Sequence, residues 1–346
     1  MLPLQAVTPA ALAAAVPALT LAEARKLVAA VHRGEPIAAG PAVRRLAADA
    51  VRAAGAVPEL AVVAETASQI DPFVKYLFER DGARFEAVRI PLEHPDRFTV
   101  CVSSQVGCAL ACAFCATGRL GLARNLAAWE IVEQVRVVRS RLPRGRVHGV
   151  VFQGMGEPLA NLDAVLGAIA VLTEPCALGI DARAITVCTA GLPAGIRRLA
   201  REAPKVRLGL SLSSAIAAHR RRVMPIAERH GLEEVLEAVA DHARATGLAP
   251  MWAVTLLDGV NDSEADAAAL AERAAAFTAR AGVRPRISIV AYNAIAAGDA
   301  DPFRRSPREA AFRAVLAAAN LPSHRRYSGG GDVGAACGQL AATAVR

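Results

Sequence analysis

The spacing of apolar residues changes character along the chain. After a Thr20-Leu-Ala-Glu23 capping box, Ala24, Leu27, Val28 and Val31 recur on one helical face until Gly34, which predicts a helix. A second helical run, rich in alanine and arginine, covers residues 42–54. Residues 1–70 are therefore expected to form a small helical accessory domain. From about Asp71 short β-like runs take over, at 75–78 and 85–90. Six strand-length apolar runs follow, at 98–102, 147–152, 185–189, 206–212, 252–257 and 287–291. Helical runs near 128–141, 161–173, 193–202, 232–246 and 263–281 separate them. Such alternation implies an α/β fold with a parallel sheet and helices outside it. Six βα units are too few to close an eight-fold barrel. Residues 71–346 are expected to form an open, partial (βα)6 barrel with its site at the C-terminal strand ends.

The first barrel run leads into Cys101-Val-Ser-Ser-Gln-Val-Gly-Cys108-Ala-Leu-Ala-Cys112-Ala-Phe-Cys115, which holds four of the seven cysteines. The C-x3-C-x2-C spacing of Cys108, Cys112 and Cys115 lets one loop wrap three thiolates, soft ligands suited to iron-sulfur clusters or zinc, around one inorganic centre. No fourth ligand follows at short spacing, as a closed zinc site would want. Three ligands on a [4Fe-4S] cluster leave one iron open, the arrangement a radical S-adenosylmethionine (SAM) enzyme uses. Ordinary buried thiols or a zinc loop are the competing readings.

Gln153-Gly-Met-Gly156-Glu157-Pro158 follows the second run. Its glycines permit close backbone approach, and Glu157 offers a carboxylate for the SAM ammonium group. Alone, the motif reads equally well as a strand-to-helix turn. Ser211 and Asn293, at later strand ends, are placed to hydrogen-bond SAM. Near the C-terminus, Gly329-Gly-Gly-Asp332-Val-Gly-Ala-Ala-Cys337 is a glycine-rich segment expected to swing a thiol into the cleft. Cys176 and Cys188 read as ordinary buried cysteines.

Composition adds limits. Hydrophobic content is 54%, but charges and prolines interrupt every run short of the ~20 residues a membrane span needs. The first 22 residues lack Lys and Arg and contain Pro3, Pro9 and Pro17, unlike a secretory signal. A reducing cytoplasm, no membrane and a monomer are expected. A net charge of +8 favours polyanionic partners. Basic groups recur at 141–146, 219–222, 304–308 and 325–326, either as a phosphate-binding surface or as a solvated basic face.

The cysteine motif from Cys101, Gly154-Met-Gly-Glu-Pro158, Leu256-Leu-Asp-Gly-Val-Asn-Asp262 and Ala335-Ala-Cys-Gly-Gln-Leu340 together resemble the RlmN/Cfr family of radical SAM RNA methyltransferases. The likeness spans about residues 75–341, in the family's order and spacing. It implies that Cys337 accepts a methyl group from one SAM, and that a radical made from a second SAM removes hydrogen from it. The methylene radical then adds to adenine, and Cys101 attacks Cys337 to release the product through a disulfide. Glu86, in Glu86-Ala-Val-Arg-Ile-Pro91, matches a family carboxylate able to take the adenine proton. The implied partners are ribosomal RNA, with transfer RNA as a second candidate, and an electron donor such as flavodoxin or ferredoxin.

Three departures stand out. Ser213 replaces a histidine usual in the family, Gln153 replaces a methionine, and the segment before Cys337 is less charged. Adenine C2 is the expected target. The alternative is the same chemistry on adenine C8 or on a non-RNA small molecule. A metal-containing RNA-binding module without catalysis would not need the Cys101 and Cys337 pair.

Overall fold

The computed structural model describes residues 1–296 and 298–342. Three helices come first: α1 (Pro9–Ala15), α2 (Leu21–Arg33) and α3 (Arg45–Ala54). The α2 capping box forms as its sequence requires. The Thr20 hydroxyl accepts from the Glu23 amide at 3.2 Å, and the Glu23 carboxylate accepts from the Thr20 amide at 3.0 Å. Left-handed Gly34 ends the helix. Leu4, Leu12, Leu27, Val28 and Val51 give this layer its own core.

The remaining chain builds one long sheet. β1 (Ala61–Ala67), β2 (Val74–Arg80), β3 (Ala83–Pro91) and β4 (Arg97–Val102) pair antiparallel in succession. A hairpin of β5 (Gln105–Cys108) and β6 (Gly121–Asn125) stands apart from this sheet. Then come α4 (Ala128–Ser140), β7 (Arg146–Phe152), α5 (Leu162–Thr173), β8 (Ile185–Thr189), α6 (Pro193–Glu202) and β9 (Arg207–Ser211). They are followed by α7 (Ala217–Val223), α8 (Leu232–Thr246), β10 (Met251–Leu256), α9 (Glu264–Ala281), β11 (Arg286–Ala291), α10 (Glu309–Ala318) and β12 (Ser323–Arg326).

Strand order among the described residues is β12-β11-β10-β9-β8-β7-β4-β3-β2-β1, parallel from β12 to β4. The six expected strands are β4 and β7–β11. Each is buried on both faces by residues such as Val100, Phe152, Val187, Leu210, Trp252 and Ile289, and so reads as an unbroken apolar run. The hairpin strands β5 and β6 and two strands of the long sheet were not expected. β12 lies at an edge and reads Ser-His-Arg-Arg. β1, the opposite edge, belongs to the sheet although residues 1–70 were assigned to the helical unit; the helices end at Ala54. The helical layer docks on α4, where Arg136 donates to the Val31 carbonyl at 2.9 Å and Arg139 to that of His32. Among the described residues no helix is long and apolar enough to cross a membrane.

Candidate active site

Polar residues between β4 and β5 weld two strand-end loops together. The Ser103 hydroxyl accepts from the Met155 amide at 2.8 Å and donates to the Glu86 carbonyl at 2.5 Å. Its backbone exchanges hydrogen bonds with the Gln134 side chain, at 2.8 and 3.0 Å. Gln105 accepts from the Glu157 amide at 2.9 Å, and Asn161 donates to the carbonyls of Ser104 and Leu126, both at 2.8 Å. The motif from Cys101 to Cys108 thus fixes the cysteine loop against the Gly154–Pro158 turn. Glycine is obligatory there. Gly156 has φ +97°, and a Cβ on it would lie 2.6 Å from the Gln105 side chain; a Cβ on Gly154 would lie 2.6 Å from the Val102 carbonyl.

Cys108, Cys112 and Cys115 line one cleft of about 960 Å³, part of it open to solvent, at the C-terminal strand ends. Burial pushes the Cys108 thiol up to about 11 and raises the other two as well. A metal centre held by these cysteines would have to reverse this, because thiolates are the ligating form. Among the described residues no three His, Cys, Asp or Glu side chains gather around a single-ion site.

Glu157 faces the same cleft. It is 4% exposed, and its carboxylate accepts the amides of Leu159 at 3.0 Å and Ala190 at 2.8 Å. Among the described residues no lysine or arginine pairs with it, and burial raises its pKa. A buried carboxylate without a cation, beside three soft thiols, suits a ligand that brings an ammonium group to an iron-sulfur cluster. Ser211 also lines the cleft.

Cys337 lines this cleft and also a second recess of about 610 Å³ that Cys101 lines. Its segment is tied down rather than free to swing. The Gly338 carbonyl accepts from the Ala116 amide at 2.7 Å, and the Thr117 hydroxyl donates to the Leu340 carbonyl at 2.6 Å. Asp71 accepts from the Gly330 amide at 2.8 Å and Tyr327 at 2.9 Å, while Asp332 accepts from Ser68 at 2.7 Å and Gln69 at 2.8 Å. Two carboxylates thus offset the freedom that the glycines give the segment.

Two expected residues sit elsewhere. Asn293 does not line the cleft, because its amide donates to Ser328 Oγ at 3.0 Å and the Cys337 carbonyl at 3.1 Å. Glu86 lies in neither recess. It is fully buried, 3.0 Å from Lys75 Nζ, and accepts the amides of Ala341 at 3.0 Å and Ala342 at 3.1 Å.

Arg220, grouped by sequence with a basic surface, is buried under the cleft. Its guanidinium donates to the carbonyls of Ser211 at 2.9 Å, Leu212 at 2.6 Å and Ala190. Burial lowers its pKa to about 10, so it stays charged at neutral pH. The signal was present: Arg220 shares a helical face with Val223 and Met224, both fully buried. Arg220→Ala would orphan these carbonyls, and we expect a loss of roughly 3 kcal/mol or more, read as a lower urea midpoint at unchanged slope.

Comparison with known proteins adds a context. A radical SAM superfamily model matches residues 102–271. A probable RNA methyltransferase from Sorangium cellulosum (strain So ce56) is 61% identical, the match covering 93% of this chain and 88% of that protein. The dual-specificity RNA methyltransferase RlmN of Syntrophobacter fumaroxidans is 44% identical, over 78% of this chain and 76% of that protein. The crystal structure of a radical SAM methyltransferase from Sphaerobacter thermophilus superposes with a TM-score of 0.86 at 34% identity, covering 99% of this chain and 100% of that one.

Proposed function

Because the chain belongs to the RlmN/Cfr family of radical SAM RNA methyltransferases, we propose that it methylates adenine C2 in RNA through a methylcysteine at Cys337. The observation that carries this reading is the position of Cys337, between the cleft of the three cysteines and the recess of Cys101. A methyl carrier has to meet a methyl source on one side and a resolving thiol on the other.

In this reading Cys108, Cys112 and Cys115 hold a [4Fe-4S] cluster, Glu157 accepts the SAM ammonium group, and Ser211 hydrogen-bonds SAM. When bound, the cluster would pass one electron to the sulfonium of SAM, and the chemistry so supplied would be an adenosyl radical able to abstract hydrogen. Cys337 Sγ takes a methyl group by displacement and later gives up one of its hydrogen atoms. The methylene radical left on sulfur adds to adenine; the adduct then gives one electron back to the electron carrier and Glu86 takes the proton from the base, which leaves a closed-shell thioether whose Cys337 sulfur Cys101 attacks. Glu86 reaches the base only if the 341–342 backbone lets go of its carboxylate. A low-potential protein such as flavodoxin or ferredoxin would supply the electron.

The RNA would enter beside Tyr327, which is 68% exposed at the mouth of the Cys101 recess. Exposed Arg305 and Arg325 line the adjoining recess of about 640 Å³. Aromatic stacking on an unpaired base and arginine on phosphate are the ordinary means of holding single-stranded RNA.

The test is mass spectrometry of reconstituted wild-type and Cys101→Ala protein incubated with SAM, reductant and ribosomal RNA. We expect methylated Cys337, 2-methyladenosine from the wild type, and RNA crosslinked through Cys337 in the variant. An unmodified Cys337 would sink the proposal. Glu157→Gln gives a separate check, with SAM binding weakened roughly 10- to 100-fold for one lost charge-assisted contact. Because burial raises the Glu157 pKa, its carboxylate neutralises at a higher pH than an exposed glutamate. Wild-type affinity should therefore fall on acidification sooner than for an exposed group, and the variant should not show that fall.

A further inference from the structure

Cys101 has to act as a thiolate, yet burial pushes its thiol up to about 12. The strand that carries it pairs with Val88 of β3 on one side and Val151 of β7 on the other, so Cys101 cannot move toward solvent. A nucleophile placed this way needs help from its surroundings.

The end of β12 brings a cation. Arg326 Nη1 donates to Gln153 Oε1 at 2.7 Å, and both residues line the Cys101 and Cys337 recess. Gln153 is a junction. Its backbone N–H faces the Cys101 sulfur, and the same Oε1 accepts from Cys188 Sγ at 3.6 Å. Thiols surround Arg326: it shares the recess with Cys101 and Cys337, and Cys188 bonds the same Gln153 oxygen. The next charges along the sheet, Lys75 on β2 and Glu86 on β3, neutralise each other at 3.0 Å. None of the three cleft cysteines is among the groups that act most strongly on Cys101. A half-buried guanidinium held by a neutral amide and turned to thiols keeps its charge available to them.

We propose that Arg326, anchored by Gln153, is the positioning residue that holds Cys101 as a thiolate for the resolving step. This rests on the two-thiol reading given above. In that step the Cys101–Cys337 S–S bond forms as the bond between Cys337 Sγ and the adenine-bound methylene breaks. The two sulfurs are oxidised to a disulfide, and the electron pair goes to the methylene carbon, which takes a proton and becomes the methyl group. No outside oxidant is needed. The two departures from the family pattern on this side of the chain thereby gain a purpose: Gln153 orients the cation, and the low charge before Cys337 leaves Arg326 without a competing acid.

The test uses the full chain with Arg326→Gln and Arg326→Lys. Iodoacetamide labelling of Cys101, followed peptide by peptide against pH without RNA, should be about tenfold or more slower at pH 8 in Arg326→Gln, with the profile moved to higher pH. Arg326→Lys should recover most of the rate. In the reconstituted enzyme, Arg326→Gln should accumulate the RNA–Cys337 adduct although Cys101 is intact, and raising the pH should release it. An unchanged labelling profile in Arg326→Gln overturns the assignment. If that variant does not fold, Gln153→Met should give a smaller shift in the same direction, and an unchanged profile there overturns it equally. Absence of adduct in Cys101→Ala would instead remove the two-thiol reading, while labelling still judges Arg326.

Discussion

Cys112→Ala protein, assembled and purified without oxygen, is expected to carry close to no iron where the wild type carries about four atoms per chain, the content of a single four-iron cluster. Reductive cleavage of SAM should fall to the level of reductant alone. Cys112 lines the cleft between its two partners in sequence, and two thiols cannot retain what three hold open. Its loop has other supports. The Ala113 amide donates to the Val223 carbonyl at 3.0 Å and that of Cys115 to the Cys112 carbonyl at 3.1 Å. Loss of the thiol should therefore leave the backbone in place, and far-ultraviolet circular dichroism should match the wild type. Cys176→Ala is the control, because that residue packs against the helical layer; its iron content should be normal. A Cys112→Ala protein that keeps four irons would remove the three-cysteine assignment.

Cys337→Ala should have an equally large and opposite consequence. RNA methylation should become undetectable while 5′-deoxyadenosine continues to form from SAM. Neither the three cysteines nor Glu157 depends on the Cys337 sulfur. The loop is held through main-chain atoms of the residue, with its amide donating to Ser328 Oγ at 2.8 Å and its carbonyl accepting from Asn293 at 3.1 Å. Alanine keeps both. Methylated RNA from this variant would refute the carrier role, and loss of SAM cleavage would show that Cys337 shapes the cleft itself.

The parts of the molecule legible in the sequence were those written in local patterns. The six central strands and the five helices expected between them follow the apolar runs closely, because a strand covered on both faces admits little but apolar residues; the short α7 was not foreseen. The cysteine loop announced itself by spacing, and Cys337 by likeness to a family. What escaped depends on partners far away in the chain. Asn293 stands at a strand end, as a SAM ligand should, but Ser328 and the Cys337 backbone claim its amide. Arg220 looked like one of three surface arginines until β8 and β9 placed three carbonyls around it. The tethering of the glycine-rich segment needs Asp71 and Ser68, more than 250 positions earlier, and no local pattern can declare such a pairing. Edge strands β1 and β12 are only partly covered and lack the apolar run that marks the others.

The bonds from Ala116 and Thr117 to Gly338 and Leu340 also set an order of events during biosynthesis. Chains emerge from the ribosome N-terminus first, so the cysteine loop and all its supports on β4, α4 and β7 exist before the segment that straps it down has been made. Until the last residues arrive, the mouth of the cleft lacks its C-terminal wall. The cleft is therefore widest in that interval, and the strap narrows it only afterwards.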